Sequence, residues 1–333
     1  MISHNMLASH LDKKILDGTV TQLPSRNGYG DGLVEAGKRD ERVVALAADL
    51  TESTRTQPFA EAYPKRFIQM GIAEQNMASV ASGMAAMGKI PFIASYAMFS
   101  PGRNWEQIRT TISYNNVNVK IIGAHAGISV GPDGATHQAL EDIGLMRLIP
   151  NMIVIAPCDA IEARKATLVA AKHNGPVYIR LGRSDTPVVT TDDSPFILGK
   201  AERMYTKKEG TEKSVGIVVT GTLAYNAIKA AQALEEKGIG ASVLHMATIK
   251  PLDVATLTTF AQTHDALVTV EEHQITGGLG GAVCEALSRV HPIKITRLGV
   301  TDQFGQSGEP EELLKHYHLD IESIVEAGEK IVA

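Results

Sequence analysis

The sequence is poor in cysteine, has no excess of positive charge and contains no long apolar run. Its 333 residues include two cysteines, Cys158 and Cys284, with no CxxC pair. That excludes a disulfide-stapled scaffold and points to a reducing compartment. No apolar stretch approaches the roughly 20 residues that span a bilayer. Acidic residues come early and no continuous apolar region opens the chain, so no signal peptide is expected and the expected location is the cytoplasm. Lys and Arg number 32 against 37 Asp and Glu, a net charge of −5. A general affinity for nucleic acid or an anionic membrane is thereby excluded. An anionic ligand would have to be gripped by a few placed Arg and His side chains. Internal repeats, low-complexity tracts and a Gly-x-Ser-x-Gly elbow are also absent, and neither cysteine sits in an activating context.

What is present is ordinary globular composition, 44% hydrophobic and 21% charged, in a chain long enough for two cores. Apolar strands alternate with helices. Strands are read at 42–50, 90–99, 117–127, 152–159 and 176–182, with helices between them. Such alternation argues for a parallel sheet covered on both faces. The polar segment RSDTPVVTTDDSPF (183–196) breaks the rhythm as a linker, after which the alternation resumes to a helical C-terminal tail. The expected fold class is α/β, with two consecutive parallel-sheet sandwich domains. Residues 1–22 form a lead-in with one short helix, 23–190 the first domain and 197–333 the second. ITGGLGGAV (275–283) fails the G-x-G-x-x-G pattern, so its glycines read as tight helix packing.

One stretch raises a question. MGIAEQNMASVASGMAAMG (70–88) is almost wholly small and apolar, yet Glu74 stands near its start. An isolated carboxylate in such surroundings is costly unless paired, hydrogen-bonded or protonated. Three further stretches fall at carboxyl ends of strands, where parallel sheets bind ligands: ADLTEST (48–54), ASYAMFSPGR (94–103) and GAHAGISVGPDGATHQA (123–139). In the last, His125, Asp133 and His137 can present donors and acceptors to a polyhydroxy compound; a simple turn at Asp133-Gly134 and a helix cap at His137 are the plain alternative. His125 and His137 lack metal-ligand spacing, and no metal ligand is expected in this chain.

The combination of GIAEQN, SYAMF, GPDGATHQ and IRLGR resembles the pyrimidine-binding half of transketolase, a thiamine diphosphate enzyme. The resemblance runs from about residue 22 to the end and covers the family's pyrimidine-binding and C-terminal domains. The amino-terminal pyrophosphate domain is missing: YGDGLV (29–34) lacks the context of the family's metal and diphosphate motif. The chain therefore looks like the second subunit of a split transketolase. The resemblance implies that Glu74 hydrogen-bonds N1′ of the cofactor's aminopyrimidine and so promotes removal of the thiazolium C2 proton. A poorly solvated carboxyl holds a proton more readily and can share one with a ring nitrogen. It implies that Phe99 stacks on that ring, that Tyr96 lines the pocket and that Asp49 and Leu50 lie near the cofactor. Transketolases often carry a further aromatic just after the Phe99 position, where this chain has SPGR. Arg26, Ser53, His125 and Arg183 match positions that grip a sugar phosphate, Asp133 the reader of the acceptor's C2 hydroxyl, and His137 a contact to the donor near the reacting carbon.

The implied reaction is transfer of a two-carbon ketol unit from a ketose phosphate such as xylulose 5-phosphate to an aldose phosphate such as ribose 5-phosphate, as in the pentose phosphate pathway. Histidines that complete the family's proton relay lie in the missing domain. The chain is thus expected to act only with a pyrophosphate-domain subunit, which would supply the Mg²⁺ ligands, in an α2β2 assembly. Ala78, Ala81, Ser82, Ala85 and Ala86 would permit close approach of another helix. Alternatives are a ketol transferase for an unusual sugar, a 1-deoxyxylulose-5-phosphate synthase, the beta subunit of a 2-oxoacid dehydrogenase, or a non-catalytic scaffold. The dehydrogenase is disfavoured by GPDGATHQ, the synthase by the split and by His125, and the scaffold by retention of Glu74 and the paired arginines. Glu271, Glu272 and His273, clustered at a strand end, read as a solvated loop or a contact between domains.

Overall fold

Apolar runs that recur between amphipathic helices leave strands no choice but to share buried sheets, and the computed structural model, which describes residues 6–333, contains two such sheets. The first half runs β1 (Gln22–Leu23), α1 (Ser25–Arg39), β2 (Val43–Ala47), α2 (Gln57–Ala62), β3 (Phe67–Gln69), α3 (Glu74–Ala86), β4 (Ile90–Tyr96), α4 (Trp105–Gln107), β5 (Lys120–Ala124), α5 (Asp142–Arg147), β6 (Ile153–Ile155), α6 (Ala160–Lys172), β7 (Val177–Arg180) and β8 (Thr186–Pro187). The second runs β9 (Glu202–Tyr205), β10 (Ser214–Val219), α7 (Ala224–Glu236), β11 (Gly240–His245), β12 (Thr248–Lys250), α8 (Val254–Ala261), β13 (Ala266–Gln274), α9 (Leu279–Val290), β14 (Lys294–Val300), α10 (Pro310–His316) and α11 (Ile321–Val332). No helix among the described residues is long and apolar enough to cross a membrane.

The first sheet has the order β12-β6-β7-β5-β4-β2-β3 and the second β14-β13-β10-β11-β9. Both are parallel except at one edge, where β12 and β9 run antiparallel. β12 belongs to the second half of the chain yet pairs with β6 of the first, Thr248 opposite Ile155. The first sheet's buried strands, such as Val43–Ala47, are apolar at every position, as expected where helices cover both faces.

Several expectations change. The short helix expected in the lead-in is a single 3₁₀ turn, Lys13–Ile15, capped by Asp12. Its apolar residues Leu7, Leu11, Ile15 and Val20 are buried in the core of the second half, not the first. The linker 183–196 is pinned rather than loose. Buried Asp159 accepts hydrogen bonds from the Val189 and Thr190 amides, and Lys165 donates to the carbonyls of Thr191 and Asp192. The helix expected over 104–115 is a short α turn followed by π-helical turns at Ile108–Ser113. There the Thr110 and Thr111 hydroxyls bond back to carbonyls four residues earlier. The helix expected from His137 starts only at Asp142.

On α3, Ala78, Ala81 and Ser82 are buried within this chain, and Ser82 Oγ donates to Thr111 O at 2.7 Å. They pack on the chain's own π-helical segment, Ala85 is half-buried against the same core, and of the five small residues only Ala86 is exposed.

The two halves are joined by buried polar contacts. Glu162 Oε2 lies 2.9 Å from His245 Nε2 and accepts the Cys158 amide at 2.7 Å. Burial lowers the His245 pKa, but the Glu162 carboxylate outweighs it and the net shift is upward. For Glu162 burial is likewise outweighed by His245, and its pKa is lowered. The Cys158 sulfur completes a trio of potential metal ligands within 4.8 Å. Burial pushes that thiol well up, however, and the Glu162 oxygen is already engaged.

Candidate active site

Parallel strands deliver their following loops to one end of the sheet. In the order β7-β5-β4-β2, four neighbours do so with polar or aromatic residues: Arg183 after β7, His125 after β5, Tyr96, Phe99 and Arg103 at the end of β4 and beyond, and Asp49 and Ser53 after β2. Arg26 joins them from the first turn of α1, where Gly28, lying over the Ala160 carbonyl with no room for a Cβ, lets the helix sit close to α6.

Glu74 opens α3 and is 1% exposed. Its partners are side chains, not the backbone amides of its own helix. Arg103 Nη1 donates to Oε2 at 2.6 Å and Ser95 Oγ to Oε1 at 3.2 Å. Asn104 Nδ2 donates to the Glu74 carbonyl at 3.0 Å. The apolar stretch around Glu74 therefore does not isolate the carboxylate; β4 and the turn after it supply its partners. Arg103 reaches it because its amide bonds the Phe99 carbonyl, one turn back. Its guanidinium carbon lies 4.8 Å from the Phe99 ring centre. Phe99 stacks at 6.1 Å on Tyr96, which stacks at 3.9 Å on His125; His137 meets Phe99 edge-on at 5.5 Å.

His125 has φ 53°, in the left-handed region that costs a side chain roughly 1–2 kcal/mol. Its Nε2 accepts from Arg26 Nη1 at 3.3 Å, so the proton belongs on Nδ1, which is buried without a partner. Burial, together with Arg26, Arg183 and His137, pushes its pKa down to about 3. Arg26 Nη1 also donates to the Ser53 carbonyl at 2.9 Å, and its Nε is buried without a partner. Burial and the nearby Arg55 and Arg183 guanidiniums lower the Arg26 pKa. Arg183 Nη1 donates to the Val130 carbonyl. Clustered cations with two unmet buried N–H groups offer donors that suit an anion.

The structure thus brings Glu74, Tyr96, Phe99, His125, His137, Arg26 and Ser53 into one connected group. Among the described residues no hydrogen bond or ring contact ties Asp49, Leu50 or Asp133 to it. Asp49 is held to β3 through its amide and Gln69 Oε1, Leu50 accepts from Thr54, and Asp133 is exposed on its loop. Arg103, Ser95 and Asn104 escaped the sequence reading. The only signal for Arg103 was SPGR, standing where an aromatic was expected.

Residues 21–188 match the transketolase pyrimidine-binding domain and residues 204–324 the transketolase C-terminal domain. The chain belongs to the transketolase family. It is 46% identical over 302 residues to a protein of Methanocaldococcus jannaschii provisionally described as a transketolase C-terminal section, covering 90% of this chain and 93% of that one. A 6-deoxy-6-sulfo-D-fructose transketolase subunit from Clostridium is 39% identical, over 92% of this chain and 94% of its own. A split-gene transketolase, solved as an inactive β4 tetramer, has a TM-score of 0.84 and 44% identity, covering 94% of this chain and 99% of that one. The pyrimidine-binding domain of transketolases implies thiamine diphosphate. The residues fit such a group. A planar guanidinium with N–H donors already lies against Phe99 and Glu74, so a flat nitrogen-bearing ring finds matching chemistry there.

Proposed function

We propose that this chain is the C-terminal subunit of a split, thiamine-diphosphate-dependent transketolase. It moves a two-carbon ketol unit from a ketose phosphate to an aldose phosphate, in the cytoplasm, together with a pyrophosphate-domain subunit in an α2β2 assembly. The partner would bring the Mg²⁺ ligands and the diphosphate site. The observation that carries the reading is the joint hold of Phe99 and Glu74 on one planar cation.

When bound, the cofactor would accept the electron pair of the breaking C2–C3 bond of the donor sugar. Glu74 would hold a proton at the ring nitrogen facing its carboxylate. Phe99 would support the ring face, an offset stack adding about 0.5–1.5 kcal/mol beyond burial, with Tyr96 beside it and Asp49 and Leu50 bordering the pocket. Arg26 and Arg183 would grip the sugar's phosphate, helped by the neutral His125 Nδ1–H and by Ser53. His137 would contact donor hydroxyls and Asp133 the acceptor's C2 hydroxyl. Because Arg103 occupies Glu74 Oε2, cofactor contact with that oxygen requires Arg103 to turn away.

Co-expression with a pyrophosphate-domain partner tests this. Xylulose 5-phosphate and ribose 5-phosphate should react only with the pair, and Glu74→Gln should lower kcat at least a hundredfold, the range of lost acid–base assistance. A pair that binds cofactor but ignores both sugars supports a second reading, ketol transfer on an unusual sugar. The likeness to the sulfofructose enzyme subunit favours including such sugars.

A further inference from the structure

The loop 127–138 carries Asp133 and His137 but has little structure of its own. Its short 3₁₀ turns, Ile128–Asp133, are broken by non-helical backbone at Gly131. Arg183 and Ser184 of the first domain donate to its Val130 and Ser129 carbonyls, and further contacts come from the C-terminal domain. Glu272, at the end of β13, is buried; its Oε2 accepts the Ser129 amide at 2.9 Å and its Oε1 accepts Thr222 Oγ1 at 2.8 Å. The Glu272 backbone is fixed in turn, since buried Arg180 donates to its carbonyl at 2.6 Å. Gln138 Nε2 lies 3.1, 3.3 and 2.9 Å from the carbonyls of Ile128, Gly131 and Gln306, so one amide ties both ends of the loop to the segment after β14. That segment is anchored by Tyr317, whose hydroxyl donates to the Phe304 carbonyl.

Two glycines record how closely the domains meet. Gly127 (φ 92°) faces Glu272, whose carboxylate leaves no space for a Cβ. Gly134 (φ 74°) faces Ser307, whose Oγ would lie 2.5 Å from one. Both need positive φ, and both abut atoms of the C-terminal domain.

We propose that the C-terminal domain clamps this loop for catalysis, with Glu272 and Gln138 as positioning residues that set how Asp133 holds the acceptor aldose phosphate and how His137 meets the donor sugar. The roles of Asp133 and His137 rest on the function proposed above; the clamp itself rests on the contacts just described. A carboxylate is a costly group to bury merely for packing. Glu272 spends its two oxygens on one loop amide and one hydroxyl, so its removal frees the loop without emptying a hydrophobic core.

The test compares Glu272→Ala, Glu272→Gln and Gln138→Ala in the full chain and in the assembled enzyme. Hydrogen exchange of the loop amides should speed up at least tenfold in Glu272→Ala and Gln138→Ala, with exchange in both sheets unchanged. Glu272→Gln keeps an acceptor for Ser129 and should restore most protection. In the assembled enzyme the acceptor KM should rise about tenfold while cofactor Kd stays within twofold. Unchanged loop exchange in a folded variant overturns the clamp. So does faster exchange with an unchanged acceptor KM in an active enzyme, or a parallel loss of cofactor affinity. If the parent assembly turns over no sugar, the function reading has failed, and exchange alone decides the clamp. If Glu272→Ala does not fold, Gln138→Ala, which strands no charge, decides it.

Discussion

The Arg103 guanidinium holds two neighbours at once: it donates to Glu74 Oε2 at 2.6 Å and lies 4.8 Å from the centre of the Phe99 ring. A planar cation on an aromatic face with a carboxylate at its edge is a stable arrangement, although nearly half of this arginine side chain is open to water. Under the proposed function Arg103 competes with the cofactor for both contacts. Arg103→Ala should tighten thiamine diphosphate binding by the assembled enzyme about two- to fivefold, the scale of an exposed cation–π contact. A fluorescence titration reads this, and weaker binding would make Arg103 part of the cofactor's own support.

The anion site gives a sharper prediction. Charge-assisted hydrogen bonds are worth about 1.5–3 kcal/mol each. Arg26→Ala should therefore raise KM for ribose 5-phosphate about ten- to hundredfold. The KM for glycolaldehyde, an acceptor without phosphate, should hardly move. Equal effects on both acceptors would remove Arg26 from phosphate recognition.

His125 makes the fold sensitive to acid. Its pKa is pushed down to about 3, whereas an unfolded histidine titrates near 6.5. Between about pH 3 and 6.5 the unfolded chain binds a proton that the folded chain refuses, so stability rises with pH across that window and levels off above it. His125→Asn should lessen the stability lost between pH 7 and 4.5 in urea titrations. An equal loss in parent and variant would contradict the neutral, buried imidazole.

In the Glu162–His245 pair, His245 acts in the opposite sense to His125 and Glu162 in the same sense. The raised His245 pKa contributes stability below about 6.5 that fades as pH climbs through the folded value. The lowered Glu162 pKa contributes above about 4.3, lost as pH falls through its folded value. The pair is therefore strongest between those limits. His245→Ala leaves a buried carboxylate unpaired and should cost about 3–5 kcal/mol, measured by denaturant unfolding at pH 6. A cost under 1 kcal/mol would mean that water reaches the site.

Much of this was legible in the order of residues. Strands such as Val43–Ala47, and Ser214–Val219 after its first residue, are apolar, and continuous burial follows from that. Glu74 stood out because a carboxylate beside so many small apolar residues demands a reason. The destinations of segments were not legible. β12 crosses to the first sheet and Leu7, Leu11 and Ile15 reach the second core, because apolar residues carry no address. Glu271, Glu272 and His273 read equally as a solvated loop or a domain contact. All three are buried, and Glu272 and His273 bond amides of the first half.

By itself the sequence determined the α/β alternation, the two cores and the motif positions at strand ends, since each depends on neighbours a few residues away. Only the tertiary structure decided which groups meet: Arg103 with Glu74 across 29 residues, Glu272 with Ser129 across 143, and Gln138 with Gln306 across 168. Such partners are chosen by how whole sheets and domains pack, and local preference has no means of encoding that choice.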